Sequence, residues 1–368
     1  MRFLLVSALC FLLARTASVQ AADCGCSGTD CRCCGTTSPV ADGEIPQLIV
    51  LSFNEAILND TFSNIWQPLL FDRKNPDGNP VSGTFFVPHE YTDYKKVQDL
   101  YVQGFEIGSN SITGNSSSQY WSEATEETLV KEFQGQRTII STFANIPIDD
   151  IIGARTPQLQ LQGDVSINAY ITSGLQYDSS WTSRSTKAVF PYTLDYVDSH
   201  CQECRLGTTC PSDTHAGFWI APIIDLQGNN SDECAALSGC NIRGTADEIS
   251  AWLLEQVDRG RSSNKAPLTL LVPTGWFRAT ENSYEGFQKF LDTLGSYNDV
   301  FLVSQKQVLD WMNNPVTLDQ FQTEVLERTS NCTEVNCRLE NSEGQIRYMY
   351  SCVPCPDKYP WLDDPLGE

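Results

Sequence analysis

The chain has 368 residues, 41% hydrophobic and 19% charged, enough apolar side chain for a sizeable core, which excludes a disordered or low-complexity protein. Its 46 Asp and Glu outnumber 24 Lys and Arg, and a net charge of −22 argues against nucleic acid and anionic membranes as partners. Only 3 His are present, so a site needing several has almost none to draw on.

In chain order, residues 1–21 read as a signal peptide. Arg2 precedes an apolar run from Phe3 to Ala14, and Val19-Gln20-Ala21 ends it with small residues. No later stretch approaches the ~20 apolar residues of a spanning helix. A secreted, extracellular protein is expected. Residues 22–45 form a Cys-, Gly-, Ser- and Thr-rich arm without apolar period. Of 15 cysteines, Cys10 leaves with the signal peptide. The rest fall into three clusters: Cys24, Cys26, Cys31, Cys33 and Cys34; Cys201, Cys204, Cys210, Cys234 and Cys240; Cys332, Cys337, Cys352 and Cys355. Two clusters have odd membership, so at least one disulfide is expected to link clusters. Cys201-x-x-Cys204 and Cys352-x-x-Cys355 also read as zinc knuckles, but an oxidising compartment favours disulfides. N-glycosylation sequons stand at Asn59, Asn115, Asn229 and Asn331.

Residues 46–316 alternate strand and helix signals. Leu48 to Phe53, Thr84 to Val87, Phe105 to Ile107, Leu268 to Val272 and Val300 to Val303 read as strands. The first and fourth are continuous apolar runs, as strands buried on both faces require. Thr125 opens a helix carrying Leu129, Phe133 and Ile140. Thr245-x-x-Glu248 is a capping box before Ile249, Trp252, Leu253 and Val257, with Gly260 as a stop. Ser283 starts a third helix, ended by Gly295. This alternation predicts an α/β fold with a parallel sheet or barrel. The stretch 197–242 reads as a Cys-rich, loop-like insert, and 317–368 as a disulfide-rich tail.

The strand ends carry ordered blocks: Leu51-Ser52-Phe53-Asn54-Glu55, Gly83-Thr84-Phe85-Phe86-Val87, Gly104-Phe105-Glu106-Ile107-Gly108-Ser109-Asn110, Ala154-Arg155-Thr156-Pro157, Tyr177-Asp178-Ser179-Ser180 and Pro273-Thr274-Gly275-Trp276-Phe277. In this order they resemble the polysaccharide deacetylases (carbohydrate esterase family 4), most closely the animal chitin deacetylases. The resemblance covers about 24–368. It implies a deformed (β/α) barrel with its site at the strand C-terminal ends. It also implies zinc or another divalent metal, chitin or a related N-acetylglucosamine polymer as substrate, and hydrolysis of its N-acetyl groups. In that family an Asp-Asp pair supplies a base and a metal ligand, a His-x-x-x-His pair supplies two more ligands, and a late His protonates the leaving amine.

Carried over residue by residue, these roles fall on unsuitable groups. The base position is Asn54, an amide that takes up no proton at ordinary pH. The first ligand position is Glu55, one methylene longer than Asp. The two His ligand positions are Asn110 and Gly114, and the acid position is Pro273. Arg155 and Asp178, which in the family orient the base and support the acid, remain without those partners. The resemblance therefore implies a degenerate site with no metal and no cofactor: a pseudoenzyme that binds chitin without deacetylating it. One alternative is an active deacetylase with rebuilt chemistry, for which His89, Asp178 and Ser179 are candidates. Another is an acidic matrix or mineral-associated protein, with calcium or matrix proteins as partners. His200 and His215 read as packed or solvated. Tyr120-Trp121 lie beside family motifs, and glycan-stacking candidates are Tyr177, Trp181, Trp276, Phe277 and His89. Trp276 and Phe277 read equally well as closing the barrel end.

Overall fold

A computed structural model describes residues 31–197, 204, 208–229 and 232–368. Strand β1, Gln47–Asn54, is buried along almost its whole length because both faces carry apolar side chains. It pairs in parallel with Leu268–Leu271 on one edge. On its other edge it pairs with Val300–Leu302 along its first half and with β2, Thr84–Val87, along its second. β3 (Glu106–Ser109), β4 (Gly153–Ala154) and β5 (Tyr177–Asp178) follow side by side, all parallel. His215–Ile220 continues the parallel order beyond β5, and Tyr192–Leu194 ends the nine-stranded sheet as an antiparallel edge. Ile223–Ile224 packs back against Leu268–Leu271, so the sheet curls into an incompletely bonded barrel. Among the described residues no helix is long and apolar enough to cross a membrane.

The expected strands appear within one or two residues of their predicted bounds. The loop-like insert is corrected: His215–Ile220 is a strand of the main sheet, with His215, Phe218, Trp219 and Ile220 buried. Its pattern is broken by Gly217 at a φ of 73°, which hides the strand from a period-2 reading. The helix Glu126–Phe143 is capped by Thr125, whose hydroxyl accepts from the Thr128 amide. Thr245 and Glu248 form the expected capping box of Ala246–Arg261. Gly260 does not stop that helix. It lies in the last turn, where a Cβ would come within 3.0 Å of the Gln47 side chain.

The arm covers the sheet edge. The Arg32 carbonyl accepts from the Thr193 amide, and the Arg32 amide donates to the Thr193 hydroxyl at 3.0 Å. Phe190 likewise donates to the Gly35 carbonyl. Covering an edge strand in this way removes a template for unwanted pairing. Disulfides join Cys204 to Cys210, Cys234 to Cys240, Cys332 to Cys352 and Cys337 to Cys355. Neither CxxC pair is a zinc knuckle, since Cys204, Cys352 and Cys355 are all spent in these bonds. Cys31, Cys33 and Cys34 are also disulfide-bonded. Cys24, Cys26 and Cys201 lie outside the described residues, and with them the expected link between clusters. Asn59, Asn229 and Asn331 are exposed, and Asn115 is half-buried.

At the core, Phe53 packs between Trp66 and Phe85, with ring centroids 4.2 and 4.3 Å away. Removing that ring leaves a cavity the parallel strands cannot close. Phe53→Ala is expected to cost about 3–5 kcal/mol in urea unfolding. A loss below about 1 kcal/mol would show that this packing does not hold β1 in place.

Candidate functional site

The C-terminal ends of the parallel strands bring together Asn54, Glu55, Asn110, Arg155 and Asp178, with Pro273 and Thr274 following the strand Leu268–Leu271. Arg155 is the centre of the arrangement. It has no exposed surface, and its guanidinium lies over the Phe86 ring at 4.5 Å. Its Nη2 donates to the hydroxyls of Ser52 at 3.1 Å and Ser179 at 2.9 Å. Nε and Nη1 have no partner among the described residues. Burial pulls its pKa down to about 10, against the attraction of Asp178. Asp178 is equally buried, and burial pushes its carboxyl up to about 6. The Ser180 amide and hydroxyl donate to it at 2.8 and 2.7 Å. Serines have therefore taken up both groups that the resemblance leaves without family partners.

Glu55 is turned onto the start of the short helix Thr274–Ala279. It accepts from the Thr274 amide at 3.2 and 3.3 Å and from the Thr274 hydroxyl. Pro273 is the N-cap of that helix, and having no N–H it suits a helix start. Burial pushes the Glu55 carboxyl up to about 7, partly offset by its Thr274 hydrogen bonds and by Arg278. The Asn110 side-chain nitrogen donates to the Arg155 carbonyl at 2.8 Å, so the amide braces two strands. Gly114 sits at a φ of 53°, where a Cβ would stand 3.7 Å from Pro88: there is room for a side chain, but only in a strained backbone.

The loop after Asn110 is held by a residue with no motif to flag it. Glu132, fully buried, accepts from the amides of Ile112 and Thr113, each at 2.9 Å, and from the hydroxyls of Thr113 and Tyr120 at 2.6 and 2.7 Å. Its position on the Glu126–Phe143 helix, between Leu129 and Phe133, was the one available signal: an acid inside an apolar stripe.

The aromatic candidates are placed in the interior. Tyr177 is fully buried and its hydroxyl donates to Glu106 at 2.8 Å. Trp181 is 5% exposed and Trp276 is 2% exposed. His89, 1% exposed, bonds the Tyr94 hydroxyl at 2.7 Å and lies against Tyr359, and burial drives its pKa down to about 3. Phe277 is half-buried against Trp66 and Trp276. The stacking expectation is thus corrected for Tyr177, Trp181, Trp276 and His89, whose faces meet protein rather than solvent. Trp121 is also buried, with its ring nitrogen donating to the Asn115 carbonyl. His215 is buried and bonds Asp164 at 2.8 Å, the packed role expected of it, while His200 lies outside the described residues.

No family model matches this chain. It is 31% identical over 355 residues to chitin deacetylase 8 of Bombyx mori, covering 94% of this chain and 91% of that protein. It is 32% identical over 344 residues to chitin deacetylase 1 of Bombyx mori, covering 88% of this chain and 64% of that one. The chain belongs to the chitin deacetylase family. Among solved structures, a peptidoglycan N-acetylglucosamine deacetylase catalytic domain from Eubacterium rectale is similar at a TM-score of 0.38 and 13% identity, covering 74% of this chain and 96% of that one.

The donors present do not match those of the family's metal site. What remains is one carboxylate already bound to Thr274 and one amide bound to the Arg155 carbonyl, beside a residue with no side chain. Three-ligand zinc sites use imidazole, thiolate and carboxylate, so this set does not fit. Among the described residues no group of three or more His, Cys, Asp and Glu is placed to hold a metal ion.

Ser52, which accepts from Arg155, and Asn54 project from the same side of β1, so Asn54→Asp is expected to turn a carboxylate toward the unpaired Arg155 nitrogens. It should raise stability by about 1–3 kcal/mol at neutral pH, the scale of a charge-assisted bond, and the gain should vanish in acid as the new carboxyl takes up a proton. Thermal midpoints recorded across pH check both parts, and an unchanged midpoint would contradict the account of Arg155. Glu55 has the opposite sign. Between its ordinary value of 4.5 and about 7 the unfolded chain releases this proton while the folded chain keeps it. Stability should therefore fall as pH rises through that window. Glu55→Gln, which can still accept from Thr274, should flatten the fall. Equal slopes in both proteins would show that Glu55 is ionised in the fold.

Proposed function

We propose that this protein is a secreted chitin deacetylase-like pseudoenzyme that holds chitin, or a related N-acetylglucosamine polymer, in an extracellular matrix without removing its acetyl groups, and that it works without a metal. Hydrolysis of an acetamide needs an activated water, a stabilised oxyanion and a proton for the leaving amine. The reading is carried by the use to which the catalytic positions are put: Glu55 caps a helix, Asn110 braces a carbonyl, and Asn54, Gly114 and Pro273 offer nothing that transfers a proton near neutral pH. The polymer is that of the chitin deacetylases to which the chain is related. Export is supported by the disulfides and by the leader-like residues 1–21.

One observation favours a second reading, an active hydrolase with rebuilt chemistry. Glu55 and Asp178 have carboxyls poised near neutrality at about 7 and about 6, where acid–base work is done.

Purified protein is expected to release no acetate from chitin oligomers and to carry no stoichiometric zinc. Activity should require Asn54→Asp, Glu55→Asp, Asn110→His, Gly114→His and Pro273→His together, with the two histidines alone recovering metal affinity at most. Acetate release by the unmodified chain, abolished by Asp178→Ala, would replace this reading with the second one.

A further inference from the structure

We infer that the outer face of the C-terminal hairpin is a binding platform for a neutral, N-acetylated polysaccharide, separate from the barrel mouth. The inference rests on the glycan-holding function proposed above and names the surface that performs it. The strands Val335–Glu340 and Ile346–Ser351 pair antiparallel, with Asn336 opposite Tyr350 and Arg338 opposite Tyr348. Alternation sends their side chains to two faces. Cys337, Leu339 and Met349 turn inward and are buried against the main core. Asn336, Arg338, Glu340, Tyr348 and Tyr350 turn outward and are exposed.

Tyr348 is 63% exposed and Tyr350 is 37% exposed. A single exposed aromatic is ordinary. Two on one face, about 7 Å apart by the rise of an extended chain, form a stripe on which successive sugar rings can lay their apolar faces. Beside the rings stand an amide, a guanidinium and a carboxylate, the groups that hydrogen-bond hydroxyls and acetamides. Among the described residues none of Asn336, Arg338 and Glu340 makes a side-chain hydrogen bond or ion pair, so all three are free to do so.

Charge selects the occupant. On a chain of net charge −22, the ionic groups of this face are Arg338 and Glu340, which cancel. A neutral polymer suits it, whereas a cationic, deacetylated polymer would be drawn to the acidic surface at large. The platform is also rigid. Cys332–Cys352 and Cys337–Cys355 staple it, so little ordering is left to be done on binding. Tyr350 bridges the backbone of Asp93. That contact joins the hairpin to the loop after β2, where Tyr91 is 69% exposed at a φ of 69°. A bulky residue held in that region is strained, and it adds a third exposed ring at the same end of the molecule.

Depletion of the full-length protein by insoluble chitin tests this, comparing wild type, Tyr348→Ala/Tyr350→Ala, Arg338→Ala and the mouth variant Glu55→Gln. The double variant should bind about tenfold or more weakly, a loss of about 1.4 kcal/mol or more, with an unchanged thermal midpoint. Arg338→Ala should weaken binding to a lesser degree, and Glu55→Gln should bind as wild type. Wild-type retention should survive about 1 M salt, where charge attraction is screened beyond about 3 Å. Full retention of the double variant would overturn the platform and leave chitin holding to another surface. Loss of retention in high salt would overturn it in favour of charge attraction. No retention of wild type would remove both the platform and the glycan-holding function.

Discussion

A cation sealed inside a barrel must be met by dipoles or by an opposite charge, and the mouth of this barrel is organised around that need at Arg155. Its guanidinium joins three strands: β1 through Ser52, β2 through the face of Phe86, and the end of β5 through Ser179. The carbonyl of the same residue receives Asn110. Neutral hydroxyls and a ring face hold the charge less well than a carboxylate would, and the depressed pKa records the shortfall. Removing the arginine would leave the buried Ser52 and Ser179 hydroxyls without its guanidinium as donor.

The same logic explains what became of the neighbouring acids. Asp178 without an imidazole is a buried carboxylate, and Ser180 supplies two donors within its own turn. Glu55, longer than Asp by one methylene, reaches the amide at the start of Thr274–Ala279, where the helix end offers unsatisfied N–H groups. Glu132 performs a comparable service for the loop after Asn110. Each of these acids finds donors within the protein itself, although burial still favours the protonated form of Glu55 and Asp178.

Much of this was legible in the residues. β1 and Leu268–Leu271 stand out as apolar runs because parallel strands in the interior are buried on both faces. β4 and β5 contribute only two residues each to the ladder, too few for any period to show, and only the order of motif blocks marks them. The altered positions Asn54, Gly114 and Pro273 could be found from those blocks. Their consequences could not, because a side chain's new partner lies far off in sequence: Thr274 is 219 residues from Glu55. The aromatics misled for a related reason. Proximity to a motif says that a ring is near the mouth, not which way it faces, and a curled parallel sheet needs large rings such as Tyr177 and Trp276 to fill it.

The hairpin obeys a different constraint, which is why its tyrosines are informative. Two strands alone are marginal in water, and here the inner face with Leu339 and Met349, together with two disulfides, supplies the stability. The outer face is largely exposed, so packing constrains its residues less than it does the inner ones. Rings inside the barrel are explained by the barrel. Rings at Tyr348 and Tyr350 have no such explanation: a strand face that polar residues would serve carries two aromatic rings instead, on a hairpin held by two disulfides.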